Sequence, residues 1–224
     1  IPVIFITNEC IAHIDSTQIA LLSDNIFKLS NQLILQLGSN GIKEIQLDCD
    51  WTTSTKEKYF ALLQHCKKLW PNITISATIR LHQIKYSSKT GIPPVKKGML
   101  MCYNMGNLKN PSVHNSIIDA NEMAQYVSTL DQYPLELDIA WPIFDWNVIF
   151  RNNAFAGISY NINVKDPVFN PLDDNRFRLT KDTLMNNVQL YAGDIIRQEL
   201  SNINTIKQCN DLINDKIHNT HLRV

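Results

Sequence analysis

The sequence predicts an α/β protein built as a (β/α)8 TIM-type barrel. Three observations carry that expectation: short apolar strand-like runs alternate with amphipathic helical stretches, polar residues gather where the strands end, and the first strand-to-helix turn lacks glycine. Strand–helix–strand repetition calls for a parallel sheet covered by helices. An open doubly wound sheet is the competing architecture, yet it advertises a Gly-rich phosphate turn after its first strand. Asn8-Glu9-Cys10-Ile11-Ala12 contains no glycine. Polar strand ends, by contrast, are how barrels assemble their sites. A barrel takes about 250 residues, and this chain has 224. The reading is therefore a single barrel domain over residues 1–224, lacking one or two N-terminal strands. Those strands, and any targeting signal, are expected upstream of residue 1, because the chain opens directly on an apolar strand-like run.

Residues 2–7 read as a buried strand. Ser16 is the expected N-cap of a helix in which Ile19, Leu22, Ile26, Leu29, Leu33 and Leu37 recur at three- and four-residue steps, the mark of one buried face. Gly38 and Gly41 bracket its end. Residues 43–48 form the next strand. Residues 55–69 form a second helix, with Tyr59, Leu62, Leu63, Cys66 and Leu69 inward and Lys56, Lys58, Lys67 and Lys68 outward; Pro71 comes next as a stop. Strands are expected at 73–80, 99–103 and 135–140, with a weaker sixth at 195–200. Helices are expected at 117–130 and 204–217.

Composition narrows the function classes. Lys plus Arg and Asp plus Glu each number 21, so the net charge is zero, and no basic excess marks a nucleic-acid binder. With 44% hydrophobic residues, the chain lacks the signature of disorder. No apolar run approaches the roughly 18–20 residues that span a bilayer. Glycine numbers 7, where average usage gives roughly 16. Asparagine is abundant in the connecting segments and can replace glycine at turn positions that need φ > 0. Five cysteines without a C-x-x-C pair suggest neither a disulfide framework nor a zinc site; Cys49 and Cys102 read as small core residues. No nucleophile elbow, Walker loop or H-E-x-x-H motif occurs. His218 and His221 offer the only metal-like spacing, and no metal or cofactor is implied.

Residues 45–51 are the most informative segment. Side chains alternate along a strand, so Gln46, Asp48 and Asp50 share one face and Leu47, Cys49 and Trp51 the other. If the apolar set meets the helices, both carboxylates face the lumen. Such a pair suits acid–base or charge-stabilising work; the alternative is that both cap the following helix. Thr78, Arg80 and His82 share a face of the next strand. A buried Arg almost never stands unpaired, so an Asp48–Arg80 ion pair is expected, with His82 as an acid or base. Tyr103 and Asn104 close the fourth strand and can donate to a substrate oxygen. Asp138, Trp141, Asp145 and Trp146 place aromatic planes beside carboxylates, as a sugar-binding cleft requires. Glu9 and Glu199 are further acids near strand ends.

The segments Glu44-Ile-Gln-Leu-Asp-Cys-Asp-Trp-Thr, Ser76-Ala-Thr-Ile-Arg-Leu-His-Gln, Gly98-Met-Leu-Met-Cys-Tyr-Asn-Met-Gly and Leu137-Asp-Ile-Ala-Trp-Pro-Ile-Phe resemble an uncharacterised family. Its members are envelope-associated, often lipoprotein-like (β/α)-barrel proteins of Gram-negative bacteria. That family is in turn distantly similar to the chitinase-type family 18 glycoside hydrolases. Their strand-four motif reads Asp-x-x-Asp-x-Asp-x-Glu, with the final Glu as proton donor. Asp48 and Asp50 match its last two aspartates, but Thr52 occupies the Glu position. Met101-Cys102-Tyr103 is similar to their Met-x-Tyr signature, whose Tyr steadies the substrate. The resemblance implies a carbohydrate-active protein of the cell envelope, a glycoside hydrolase or a degenerate relative.

In the hydrolase reading Asp48 and Asp50 are catalytic, Asp50 as general acid and Asp48 as its tuning partner. Arg80, His82, Tyr103, Asn104, Asp138, Trp141 and Trp146 would hold the glycan. The rival is a non-catalytic barrel that binds a glycan or a protein. A metal-dependent hydrolase using Asp48, Asp50 and His82 ranks behind both.

Overall fold

The computed structural model describes residues 1–38 and 41–216. They form two compact units, one made of Ile1–Met101 and Tyr126–Ala140, the other of Cys102–Gln125 and Trp141–Asp215.

The first unit is built on a parallel sheet of β1 (Val3–Phe5), β2 (Glu44–Asp48), β3 (Thr74–Arg80), β4 (Lys97–Met101) and β5 (Glu136–Ala140), in that spatial order. The connecting helices are α1 (Asn8–His13), α2 (Ile19–Gln36), α3 (Lys56–Leu69), α4 (Leu81–Lys85) and α5 (Ser87–Thr90). Each of the five strands read from the sequence is present, but β1, expected buried, has Val3 and Phe5 exposed, and Leu29, Leu33 and Leu37, expected on the buried face of the helix after it, are exposed as well. The helix expected to start at Ser16 instead opens with a 3-10 turn, Ser16–Gln18, capped by Asp15, whose carboxylate accepts the Thr17 N–H at 2.8 Å. The stretch expected as one helix over 117–130 is split into α6 (Ala120–Tyr126) and a 3-10 segment, Val127–Gln132, kinked at Thr129.

The sheet's apolar face holds the core of this unit. Ile45, Leu47, Ile75, Ala77, Ile79, Leu100, Leu137 and Ile139 are buried, as are Tyr59, Leu62, Leu63 and Cys66 of α3. The Tyr59 hydroxyl donates to the Leu47 carbonyl at 3.1 Å, and its ring stacks on Trp51 at 5.2 Å. Trp51 in turn donates its indole N–H to the Thr90 carbonyl at 2.9 Å, so no polar atom of either ring is left unsatisfied in the core. Gly98 is required on β4: a Cβ there would sit 2.8 Å from Ile79 Cγ1 and 3.0 Å from Leu137 Cδ2.

The expected barrel is not formed. Among the described residues β1 and β5 are edges of an open sheet, and the chain beyond β5 turns antiparallel. In the second unit β6 (Trp146–Arg151), β7 (Ala154–Ser159), β8 (Phe169–Pro171), β9 (Arg176–Leu179) and β12 (Ile195–Glu199) form an antiparallel sheet in the order β7-β6-β12-β9-β8. A separate hairpin joins β10 (Thr183–Met185) to β11 (Val188–Leu190). A parallel neighbour needs a crossover of a dozen or more residues, whereas two-residue turns force antiparallel return. Asn152-Asn153 and Asn186-Asn187 are such turns, all four at positive φ between 47° and 66°, the conformation of hairpin-making type I′ turns. Asparagine thus does take positions where glycine would be the default. The run expected as a sixth barrel strand is β12, which lies between β6 and β9 in this sheet.

The second unit's core gathers Ile149, Ile162, Val164, Phe169, Leu179, Leu190 and Ile196. The last helix, α7 (Ile203–Asn214), is capped by Asn202, whose side chain accepts the Asn204 N–H. The end expected for it at Ile217, and the His218/His221 pair, lie outside the described residues. All five cysteines are free thiols, with Cys49, Cys66, Cys102 and Cys209 buried and Cys10 exposed. Burial pushes the Cys49 and Cys66 thiols up to about 12. No described helix is long and apolar enough to cross a membrane.

Candidate functional site

The parallel sheet has a polar face opposite its apolar one, and the alternation read from the sequence places it correctly. Leu47, Cys49 and Trp51 are buried, while Asp48 is half-buried and Asp50 exposed. Gln46 pairs with Ser76 and Leu47 with Ala77 in the β2–β3 register, and continuing that register sets Asp48 beside Thr78 and Asp50 beside Arg80. The contacts agree with it. The Thr78 hydroxyl donates to Asp48 Oδ1 at 2.6 Å. Arg80 donates through Nε to Asp50 Oδ1 and through Nη2 to Asp50 Oδ2 at 3.1 Å, a two-pronged ion pair. The expected Asp48–Arg80 pair is therefore replaced: Arg80 lies one rung beyond Asp48 and meets Asp50. Neither aspartate caps α3, whose N-cap Thr55 carries no side-chain cap.

His82 stands on the first turn of α4. The residue is exposed, yet enough of its ring is desolvated to hold its pKa below the usual 6.5. The Asp50 charge pulls against that effect, and the Arg80 charge adds to it. Asp48, Asp50, Arg80 and His82 thus belong to one corner at the C-terminal ends of β2 and β3. Sequence reasoning missed the residue that fixes this corner. Gln83 is fully buried, accepts the Arg80 N–H at 2.8 Å and donates to the Trp51 carbonyl at 3.2 Å. It ties the turn after β2 to the turn after β3. Its available signal was a glutamine three residues after a strand's last residue, the N3 position of a helix start.

Thr52 is absorbed into the turn before α3. Its N–H donates to Thr55 Oγ1 at 2.9 Å, and its carbonyl accepts the Lys56 N–H at 3.0 Å. Asp138 shares the polar face on β5, in register with Met99, which pairs with Thr78. It is 1% exposed and bound to Lys97 Nζ at 2.9 Å. Glu44, also buried there, accepts from the Ser76 hydroxyl at 2.8 Å. Glu9 is an exposed residue of α1.

The remaining candidates lie in the second unit. Tyr103, Phe144 and Trp146 form a half-buried aromatic cluster, Tyr103 edge-on to Phe144 at 5.8 Å and Phe144 tilted on Trp146 at 5.3 Å. Trp141 is half-buried, and Asn104 is exposed at φ 53°. Trp146 is less available than a free stacking platform, because its indole N–H donates to Glu199 Oε2 at 2.6 Å. Asp145 accepts the Ser201 N–H.

Glu199 is no solvent-facing acid. It is fully buried and also accepts from Ser116 Oγ at 2.6 Å and Arg197 Nε at 2.7 Å. Arg197, equally buried, spends its other nitrogens on the carbonyls of Leu108, Asn110 and Val113. Desolvation lowers its pKa while the Glu199 charge opposes that. This network fastens the 108–113 segment to the sheet.

Among the described residues no three His, Cys, Asp or Glu side chains gather as a metal-ligand group. No protein-family model matches the chain, and no curated protein does.

Proposed function

We propose that this chain binds a glycan at the cell envelope without hydrolysing it, as a degenerate relative of the chitinase-type glycosidases. The observation that carries the reading is the two-pronged Asp50–Arg80 pair. A general acid must present a protonated oxygen to the leaving group. Both Asp50 oxygens already accept from the Arg80 guanidinium, so a leaving group would have to displace Arg80 to reach either of them. Thr52 cannot take its place, since a hydroxyl does not protonate a leaving group at neutral pH. What the corner does offer is an exposed carboxylate, a planar donor group and an imidazole side by side, a set suited to vicinal hydroxyls. The resemblance in the β2, β3 and β4 segments supports the carbohydrate class and the envelope location.

A glycan array probed with the intact chain, run beside product release from the same glycans, tests this. Binding without cleavage is expected, weakened at least tenfold by Arg80→Gln. Cleavage lost in Asp48→Asn or Asp50→Asn would overturn it. The hydrolase reading keeps one specific support: Asp48 is half-buried, and among the described residues its carboxylate accepts from the Thr78 hydroxyl alone.

A further inference from the structure

A cavity of about 350 Å³ opens on the second unit, lined by the 108–113 segment, β6, β9 and β12. Its apolar part is Pro111, Leu172 and Ile195 over the buried Phe150; its polar part is Ser112, Asn153, Asp173 and Arg176. We propose that this cavity is a binding site for one neutral pyranose residue of a glycan. The inference rests on the carbohydrate reading above but uses a different set of residues.

Three features argue for it. The first is preorganisation. Arg197 holds the Leu108, Asn110 and Val113 carbonyls at 2.7–3.0 Å and lies over the Phe150 ring at 4.9 Å. The wall that carries Ser112 and the ring beneath it are therefore fixed before a ligand arrives, which removes an ordering cost from binding. The second is charge. Asp173 accepts from the Arg176 N–H at 2.7 Å and from its Nη1 at 3.3 Å. The cavity thus offers a strong donor and a strong acceptor with no net charge, which disfavours anionic and cationic ligands alike. The third is shape. A volume of about 350 Å³ is at the lower end of small-ligand pockets, suited to a single ring. A pyranose has an apolar C–H face for Pro111, Leu172 and Ile195 and a hydroxylated rim for Ser112, Asn153, Asp173 and Arg176. Ser112, Asn153 and Leu172 are exposed, so the mouth lets a longer glycan continue into solvent.

The test is saturation-transfer NMR and calorimetry on the intact chain with methyl glycosides of glucose, galactose, mannose and N-acetylglucosamine, alongside glucuronate and glucosamine. Ser112→Trp fills the cavity from an exposed position. Asn153→Gly removes an amide while keeping a residue that tolerates the positive φ there. At least one neutral glycoside is expected to bind, each variant weakening it tenfold or more. Binding that both cavity variants leave intact but Arg80→Gln abolishes would overturn this site and keep the glycan reading. Preference for a charged sugar, or no binding of any monosaccharide by folded protein, would overturn the proposal. In the latter case oligosaccharide binding on the array decides the broader reading separately.

Discussion

Two ion pairs of the same chemistry occupy opposite environments, and replacing one carboxylate in each gives a sharp contrast. Glu199 and Arg197 are 0% exposed, and Glu199 accepts from Arg197, Ser116 and Trp146. In Glu199→Gln the new amide can still accept from Ser116 and Trp146 through its oxygen, but its NH2 meets the Arg197 N–H, donor against donor. Arg197 would be left as a buried charge without its counter-ion, which costs about 3–5 kcal/mol. With a urea slope of about 2 kcal/mol/M, the midpoint of the transition that reports on Trp146 falls by roughly 2 M. Asp50 and Arg80 have side chains 53% and 22% exposed. A pair so open to water is worth about 0.2–1 kcal/mol, so Asp50→Asn moves its midpoint by no more than about 0.5 M on the same slope. Urea titrations monitored by near- and far-ultraviolet circular dichroism read both. Equal losses in the two variants, or a shift below about 0.5 M for Glu199→Gln, would refute the reasoning. The first outcome would make the Asp50–Arg80 pair a structural clasp rather than groups available to a ligand.

His82 should titrate by NMR below 6.5, further down in Asp50→Asn and higher in Arg80→Gln, since Asp50 raises and Arg80 lowers it. Because the folded value lies below the unfolded one, the unfolded chain takes the proton first. His82's contribution is complete above about pH 6.5 and is lost as pH falls towards its folded value. Folded protein at pH 8 should react with a thiol reagent at Cys10 alone, and at all five cysteines after denaturation; rapid modification of Cys49 or Cys66 would contradict their burial. Gly98→Ala should destabilise by about 1–3 kcal/mol through overpacking, because Ile79 and Leu137 stand in the way of the new methyl group. An unchanged melting temperature would show that β4 yields.

The features legible in the sequence were local ones. The inward residues of α3 are set by a 3.6-residue period, and the faces of β2 by a period of two; both patterns are intrinsic to a segment. Closure is not. Whether a sheet of five parallel strands continues into a barrel depends on the chain beyond β5, and there the strands are three to six residues long. The signal that was present lay in the turns, Asn152-Asn153 and Asn186-Asn187, each a substitute for the Asn-Gly pair that marks a hairpin.

Register was equally hidden, and it decides the chemistry of the corner. The sequence places Asp48, Asp50, Thr78 and Arg80 on one face but cannot say which rung each shares. The β2–β3 pairing settles this: Asp48 is satisfied by a hydroxyl and Asp50 by a guanidinium. On this face Glu44 and Gln46 are buried at 8% and 5%, Asp48 at the end of β2 is half-buried, and Asp50 just beyond it is exposed. On β3 the same face is buried at Ser76 and Thr78 and opens at both ends, exposed at Thr74 and half-buried at Arg80. The groups low on the face are buried with their partners, while the Asp50–Arg80 pair at the top is the one open to solvent. That top belongs to a parallel sheet with all its carboxyl ends on one side, where open α/β sheets also bind their ligands. The corner therefore lies at the C-terminal ends of β2 and β3 in an open sheet, not in a barrel.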